Sequence, residues 1–139
     1  MIDTKESSVV LERTFHYSID NVWRALTEPS LIARWMMPND FRAEVGAVFT
    51  LRAEPTPQWD GIVLGKVIEI VPQQRLRYAW TSPASIEVTI DLAASDEGVH
   101  VRVELTGPEK PAVGGAKYGW DQQFLPALER TLAQLEDEA

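Results

Sequence analysis

The stretch 25-ALTEPSLIARWMMP-38 decides how the first third of the chain folds, because it holds two prolines around an apolar run. A residue that precedes a proline is driven out of the helical region, so a first helix must end near Thr27. Pro29 suits the first position of a second helix, since the N–H that it lacks would have no partner there. This second helix ends at Pro38, and its apolar face consists of Leu31, Ile32, Trp35 and Met36.

Both predicted helices are shorter than the length at which an isolated helix is stable in water, so they must pack on another layer. The segment that precedes them, 8–17, alternates in character, with Leu11, Arg13, Phe15 and Tyr17 on one face. Such alternation is typical of a half-buried strand. Ser18 or Asp20 is available to cap the first helix.

From Phe41 onward the hydrophobic period changes to two, which predicts a run of strands. Segments 86–92 and 99–105 alternate most regularly and are joined by the turn Asp96-Glu97-Gly98, which predicts an antiparallel hairpin. Segment 61–71 is apolar at nearly every position, which favours a central, well-covered strand over an edge strand. Further strands are predicted at 48–52 and 75–80, so the whole is an antiparallel meander.

The end of the chain predicts one long helix over residues 117–136, preceded by a loop, 107-GPEKPAVGG-115. Its apolar stripe consists of Phe124, Leu125, Leu128, Leu132 and Leu135. Pro126 lies inside this pattern and either kinks the helix or marks the start of a second segment. One long helix on one face of a meander is an α+β architecture.

Composition indicates a single domain over residues 1–139, large enough to bury its own core. The formal net charge is −8, which argues against binding to nucleic acid or to an anionic membrane surface. No apolar run is long enough to span a bilayer, and the N-terminus lacks the pattern of a signal peptide. With no cysteine in the chain, a cytoplasmic location is the expectation.

The sequence offers no catalytic or metal-binding motif. His16 and His100 fall on strand faces that are predicted to be solvent-exposed, and two histidines without a cysteine do not make a zinc site. Gly114-Gly115 is interpreted as a turn that leads into a helix, not as a phosphate-binding loop. We therefore expect no metal, no cofactor and no catalytic residue that can be named from these patterns.

Three stretches, the first of which overlaps the opening one, together resemble a known family. They are 22-VWRALTEP-29 with Arg34-Trp35, 65-GKVIEIVP-72 with Arg75-Leu76 and 78-YAW-80, and Gly119-Trp120 before the leucine stripe. In this order the chain resembles the START-like (SRPBCC) superfamily, within the branch of homologues of the C-terminal domain of the heat-shock protein 90 ATPase activator. The resemblance implies a helix-grip fold, in which a curved antiparallel sheet of about six to seven strands wraps around a long C-terminal helix.

The same resemblance implies a cavity between the sheet and the long helix that binds a small apolar or amphipathic ligand. The aromatic residues and their apolar neighbours near the mouth of that cavity are the predicted ligand-binding residues: Trp35, Met37, Phe41, Phe49, Leu51, Tyr78, Trp80, Tyr118, Trp120 and Phe124. Trp59, in a proline-rich turn, is predicted to cap the entrance. Arg13 and Arg52 lie beside apolar strand positions, where each either anchors a ligand carboxylate or extends along the surface.

Two alternatives stay open at this point. One is an enzyme of the cyclase or dehydratase type that uses the same cavity, for which Tyr78 is the one visible acid–base candidate. The other is a protein-interaction module with a chaperone partner, as the family's eukaryotic namesake implies. A homodimer through an exposed strand or an aromatic loop is compatible with either.

Overall fold

An antiparallel sheet of six strands carries the fold, in the spatial order β1-β6-β5-β4-β3-β2. The computed structural model describes residues 7–138. The strands are β1 (Ser7–Phe15), β2 (Val48–Arg52), β3 (Ile62–Val71), β4 (Arg75–Ser82), β5 (Ile86–Ser95) and β6 (Gly98–Gly107). The helices are α1 (Ile19–Thr27), α2 (Pro29–Trp35), α3 (Lys110–Gly119) and α4 (Leu125–Glu138), with a π-helical turn at Trp120–Phe124 between the last two. The predicted α+β helix-grip architecture is confirmed.

The core lies on one face of the sheet. In β5 and β6 every second residue is buried from Ile86 to Leu92 and from Val99 to Leu105, as the alternation predicts. β3 is not an edge strand, as predicted, but the expected cover is missing on its outer face, where Leu64 and Ile68 are 42% and 36% exposed. The helices cover only the inner face, and β3 is separated from the sheet's margin by the short strand β2 alone.

The break between α1 and α2 follows from Pro29, and Trp35 supplies the hydrogen-bond donor that the break removes. In a continuous helix the carbonyl of Ala25 would accept a hydrogen bond from the N–H of residue 29, but proline has no N–H. The indole N–H of Trp35 donates to that carbonyl oxygen instead, at 2.7 Å. The side chain of Ser18 caps the start of α1 by accepting from the N–H of Asn21. The predicted end of α1 at Thr27 is confirmed.

The aromatic ring of Trp35 also joins the helix pair to the C-terminal helix. Its ring centroid lies 5.7 Å from that of Trp120 and 6.3 Å from that of Phe124, and Trp120 and Phe124 meet edge to face. Trp35 and Trp120 are 4% and 0% exposed. This aromatic cluster therefore fixes the middle of the long helix against α2.

The C-terminal helix begins earlier than the sequence predicts, so the predicted loop at 107–115 is wrong for most of its length. Pro111 lies in the first turn of α3, where proline is tolerated, and Val113 is buried. Gly114 and Gly115 are therefore not a turn at the start of a helix but part of α3 itself. Packing of Val113 in the core outweighs the low helix propensity of the two glycines.

The π-helical turn accounts for Pro126. Here the N–H of Leu125 bonds to the carbonyl of Trp120, five residues back, which widens the helix by one residue just before the proline. Pro126 can donate no bond to the Gln122 carbonyl, so the strain of a proline in a helix falls where the backbone is already widened. Pro126 thus lies in the first turn of α4, directly after the π-helical turn, and the right-handed helical backbone continues from α3 through Trp120 and Leu125 into α4.

We predict that Trp35→Phe lowers the free energy of unfolding by about 1–3 kcal/mol more than Trp120→Phe does. Both substitutions remove the same volume from a buried indole of one cluster. Only the first leaves the Ala25 carbonyl without a donor, because the Trp120 N–H has no hydrogen-bond partner among residues 7–138. Urea unfolding of the two variants measures the difference, and equal losses would contradict the role given to the Trp35 hydrogen bond.

Candidate functional site: a cavity between the long helix and the sheet

A cavity of about 420 Å³ lies between α3 and the sheet. We call it the helix cavity. On the sheet side it is lined by Val63 of β3, Trp80 of β4 and Ile86 of β5. The loops beside it contribute Met37, Trp59, Pro83 and Ala84, and the C-terminal helix contributes Ala112, Gly115, Ala116, Gly119 and Phe124.

The helix cavity exists because α3 faces the sheet with very small residues. Ala112, Gly115, Ala116 and Gly119 follow the spacing of one helix face, and all four line the cavity. A Cβ added at Gly115 or Gly119 would meet no atom within 4 Å. In α4 the corresponding face carries buried leucines that fill the space against the core, namely Leu125, Leu128, Leu132 and Leu135.

A second space of about 500 Å³ adjoins the helix cavity and shares Met37, Trp59 and Phe124 with it. We call it the vestibule. Unlike the helix cavity it has charged and polar walls, because Arg52, Glu54 and Gln123 line it together with Pro38. Trp59 thus stands between an apolar space and a polar one.

The position of Trp59 is fixed by its own hydrogen bonds. Its indole N–H donates to the carbonyl of Ile62 at 3.1 Å, and its backbone pairs with Thr56 in both directions across a tight turn. At the base of this turn the N–H of Ala53 donates to the carbonyl of Gly61 at 2.7 Å. The residue that the sequence predicts as an entrance cap is therefore a wall shared by both spaces.

The predicted ligand-binding residues fall into three groups. Met37, Trp80 and Phe124 line the helix cavity. Trp120 is packed in the aromatic cluster, and Tyr118 is 68% exposed. The others surround a separate void of about 10 Å³, which is too small for more than a water molecule: Trp35, Phe41, Phe49, Leu51 and Tyr78.

The residues around the small void make a tightly packed aromatic layer. The rings of Phe41, Phe49 and Tyr78 contact one another edge to face, with centroids 5.1–6.1 Å apart. Tyr78 is also stacked on Trp80, two residues further along the same face of β4, so this layer lies beside one wall of the helix cavity. Burial raises the pKa of the Tyr78 hydroxyl far above its ordinary value, so this group stays protonated at neutral pH.

Two buried indole N–H groups lack a hydrogen-bond partner among residues 7–138, those of Trp80 and Trp120. A buried donor without an acceptor costs about 1–3 kcal/mol. Trp80 lines the helix cavity, so one of these two unmatched donors belongs to a wall of the cavity.

A sequence model of the family described as "Activator of Hsp90 ATPase homolog 1-like protein" matches residues 16–133, which is most of the chain. The chain belongs to this family. A search of curated proteins gave no match.

Solved structures agree with membership of the activator-homologue family. Protein MLL2253 from Mesorhizobium loti is 36% identical over 92% of this chain and 98% of its own, with a TM-score of 0.81. An AHSA1-like protein from Aeromonas hydrophila is 20% identical over 94% of both chains, with a TM-score of 0.77. DynU16, described as a putative protein in the dynemicin biosynthetic locus, is 23% identical over 91% of this chain and 47% of its own, with a TM-score of 0.78. The last two likenesses show the fold.

In this member of the activator-homologue family, sequence reasoning missed the helix side of the cavity. The signal is the spacing Ala112, Gly115, Ala116, Gly119, but the predicted loop 107–115 includes the first two of these residues and so hides their common helix face. Val63 and Ile86 were assigned to strands by the alternation but not to the site. Small residues on a helix face are as informative about a cavity as the aromatic residues opposite them.

The two arginines singled out from the sequence have different surroundings. Arg13 reaches across from β1 to Asp121 in the π-helical turn and forms an ion pair with it, which holds the pKa of the Asp121 carboxyl below its ordinary value. Arg52 lines the vestibule and has no ion pair among residues 7–138. Arg13 is therefore a structural link between sheet and helix, whereas the guanidinium of Arg52 has no carboxylate partner in the part of the chain that the structure describes.

Neither histidine lies near the helix cavity. His16 bonds to the carbonyl of Glu97, and His100 lies 3.0 Å from the carboxylate of Glu12 on the exposed face of the sheet. Within the described range, no three His, Asp or Glu side chains are grouped closely enough to hold a metal ion. Among the helices of residues 7–138 there is none with the length and apolarity needed to cross a membrane.

We expect Gly115→Ala to raise the free energy of unfolding by about 0.5–1 kcal/mol, because it replaces a helical glycine and its new methyl group meets no neighbour. Thermal or urea unfolding measures the change. The matched comparison is Gly65→Ala in β3, whose Cβ would lie 2.4 Å from Cζ of Phe49 and which should cost about 1–3 kcal/mol. A loss of stability in Gly115→Ala would mean that the space beside α3 is filled.

Proposed function

We propose that this domain binds a small, largely apolar ligand in the helix cavity. The observation that carries the proposal is the cavity itself, about 420 Å³ with walls of aliphatic and indole side chains. Ligand sites in proteins are commonly clefts of roughly 300–1,000 Å³ with such walls and few polar groups. Its position between the long helix and the sheet is where the family resemblance implies a ligand.

The composition of the walls favours binding over acid–base catalysis. General acid–base catalysis needs titratable groups within hydrogen-bond reach of the reacting atoms. The walls of the helix cavity supply apolar contact surface together with Trp59 and Trp80. Tyr78, the acid–base candidate of the alternative hypothesis, faces the small void instead. A chaperone partner stays a separate prediction, because the helix cavity provides no argument for it or against it.

The direct test is titration of the purified protein with N-phenylnaphthylamine, a neutral apolar dye whose fluorescence rises in apolar surroundings. We expect saturable binding and a matching rise in the melting temperature. At 100 times its dissociation constant the dye should stabilise the fold by about 2.7 kcal/mol. Absence of saturable binding by this dye, and of any stabilisation by a wider set of fatty acids and sterols, would refute the proposal.

The location is tested with two neighbouring glycines of α3. Gly115 lines the helix cavity and Gly114 does not, yet an added Cβ meets no atom within 4 Å at either position. We predict that Gly115→Leu lowers dye affinity by at least tenfold, because its side chain occupies the cavity. Gly114→Leu should bind the dye as the wild type does.

Both leucine variants should keep the melting temperature of the wild type or exceed it, since leucine is the better helix former. This keeps the comparison interpretable, because loss of binding in Gly115→Leu cannot then come from unfolding. Equal affinity in all three proteins would place the dye elsewhere and contradict the assignment of the site.

A further inference from the structure

We infer that the natural ligand is an amphipathic carboxylate, with its apolar part in the helix cavity and its carboxylate at Arg52 in the vestibule. The inference rests on the proposed function, because it specifies the ligand of the same site. It is carried by the contrast between two adjoining spaces, one with apolar walls and one that holds a free guanidinium.

The two spaces offer one elongated site. They share three wall residues, Met37, Trp59 and Phe124, so they lie side by side. In the proposed complex one ligand occupies both spaces, with its apolar chain in the helix cavity and its head group in the vestibule. The walls change in character along this path, from Val63, Trp80 and Ile86 to Arg52, Glu54 and Gln123. A wholly apolar molecule would match only the first part, and a small polar ion only the second.

The guanidinium of Arg52 is the reason for assigning a negative charge to the polar end of the ligand. Seven arginines of the described residues form ion pairs with carboxylates, whereas Arg52 at the vestibule forms none. The backbone of Arg52 is held in place, because Arg52 is the last residue of β2 and its N–H donates to the carbonyl of Pro38 at 2.9 Å. A guanidinium presents a planar fork of donors that fits a carboxylate with two parallel hydrogen bonds.

Glu54 is the opposing charge in the vestibule, and it makes the inference testable in both directions. It lines the same space as Arg52 but has no ion pair among residues 7–138. A ligand carboxylate would be attracted by Arg52 and repelled by Glu54. Removing the two charges one at a time should therefore move the affinity in opposite directions, which a merely structural role of either residue would not do.

The experiment measures displacement of N-phenylnaphthylamine from the full chain by decanoate and by decanol. These two molecules have chains of the same length and differ in the head group, which is a carboxylate in decanoate and a neutral hydroxyl in decanol. We expect decanoate to bind more tightly than decanol to the wild type. Arg52→Gln should weaken decanoate about five- to tenfold and leave decanol unchanged. Glu54→Gln should tighten decanoate and leave decanol unchanged. Both residues are exposed, so the two variants are expected to fold.

The outcomes separate this inference from the proposed function. If the dye does not bind at all, the proposed function fails and this inference fails with it. If the dye binds and Gly115→Leu prevents its binding, but Arg52→Gln affects decanoate and decanol equally, the cavity is a ligand site and the carboxylate assignment is wrong. A gain in decanoate affinity in Arg52→Gln, or a loss in Glu54→Gln, would also overturn the carboxylate assignment, because both changes oppose the attraction and repulsion that the two charges exert on an anion.

Discussion

The hydrogen bond from the indole of Trp35 to the carbonyl of Ala25 is the interaction on which the rest of this structure depends. Pro29 forces a break between two short helices and deprives that carbonyl of its helical donor. Because the indole takes over the bond, the ring of Trp35 is held where it packs on Trp120 and Phe124. One local consequence of a proline thereby sets the position of the C-terminal helix.

The two parts of the C-terminal helix pack against the rest of the protein differently: α4 fills the core, whereas α3 leaves a space. Beyond the aromatic cluster, α4 packs its leucines into the core and leaves no space. Before the cluster, α3 faces the sheet with alanine and glycine, so the same helix axis leaves a cavity of about 420 Å³. Phe124 belongs to both the cluster and the cavity wall, which ties the anchoring of the helix directly to the shape of the site.

Most of the fold, apart from the first part of α3, could be predicted because the periodic signals were strong and local. The prolines at 29 and 38, the hairpin of β5 and β6, and the leucine stripe each predicted an element that the structure contains. The site was harder to predict, because a cavity is made by missing side chains, and Gly114 and Gly115 of α3 are typical of a loop. Aromatic residues alone could not separate the walls of a cavity from a packed layer. Trp80 and Phe124 line the helix cavity, whereas Phe41 and Phe49 surround a void of about 10 Å³.

The central claim is that the space between α3 and the sheet is where an apolar ligand binds. Methyl-resolved NMR of the complex with N-phenylnaphthylamine tests it most directly. Ala112 and Ala116 of the helix wall and Ile86 of the sheet wall should all show intermolecular contacts to the naphthyl ring. Contacts confined to the exposed outer face, at Val48, Leu64 and Ile68, would contradict the claim.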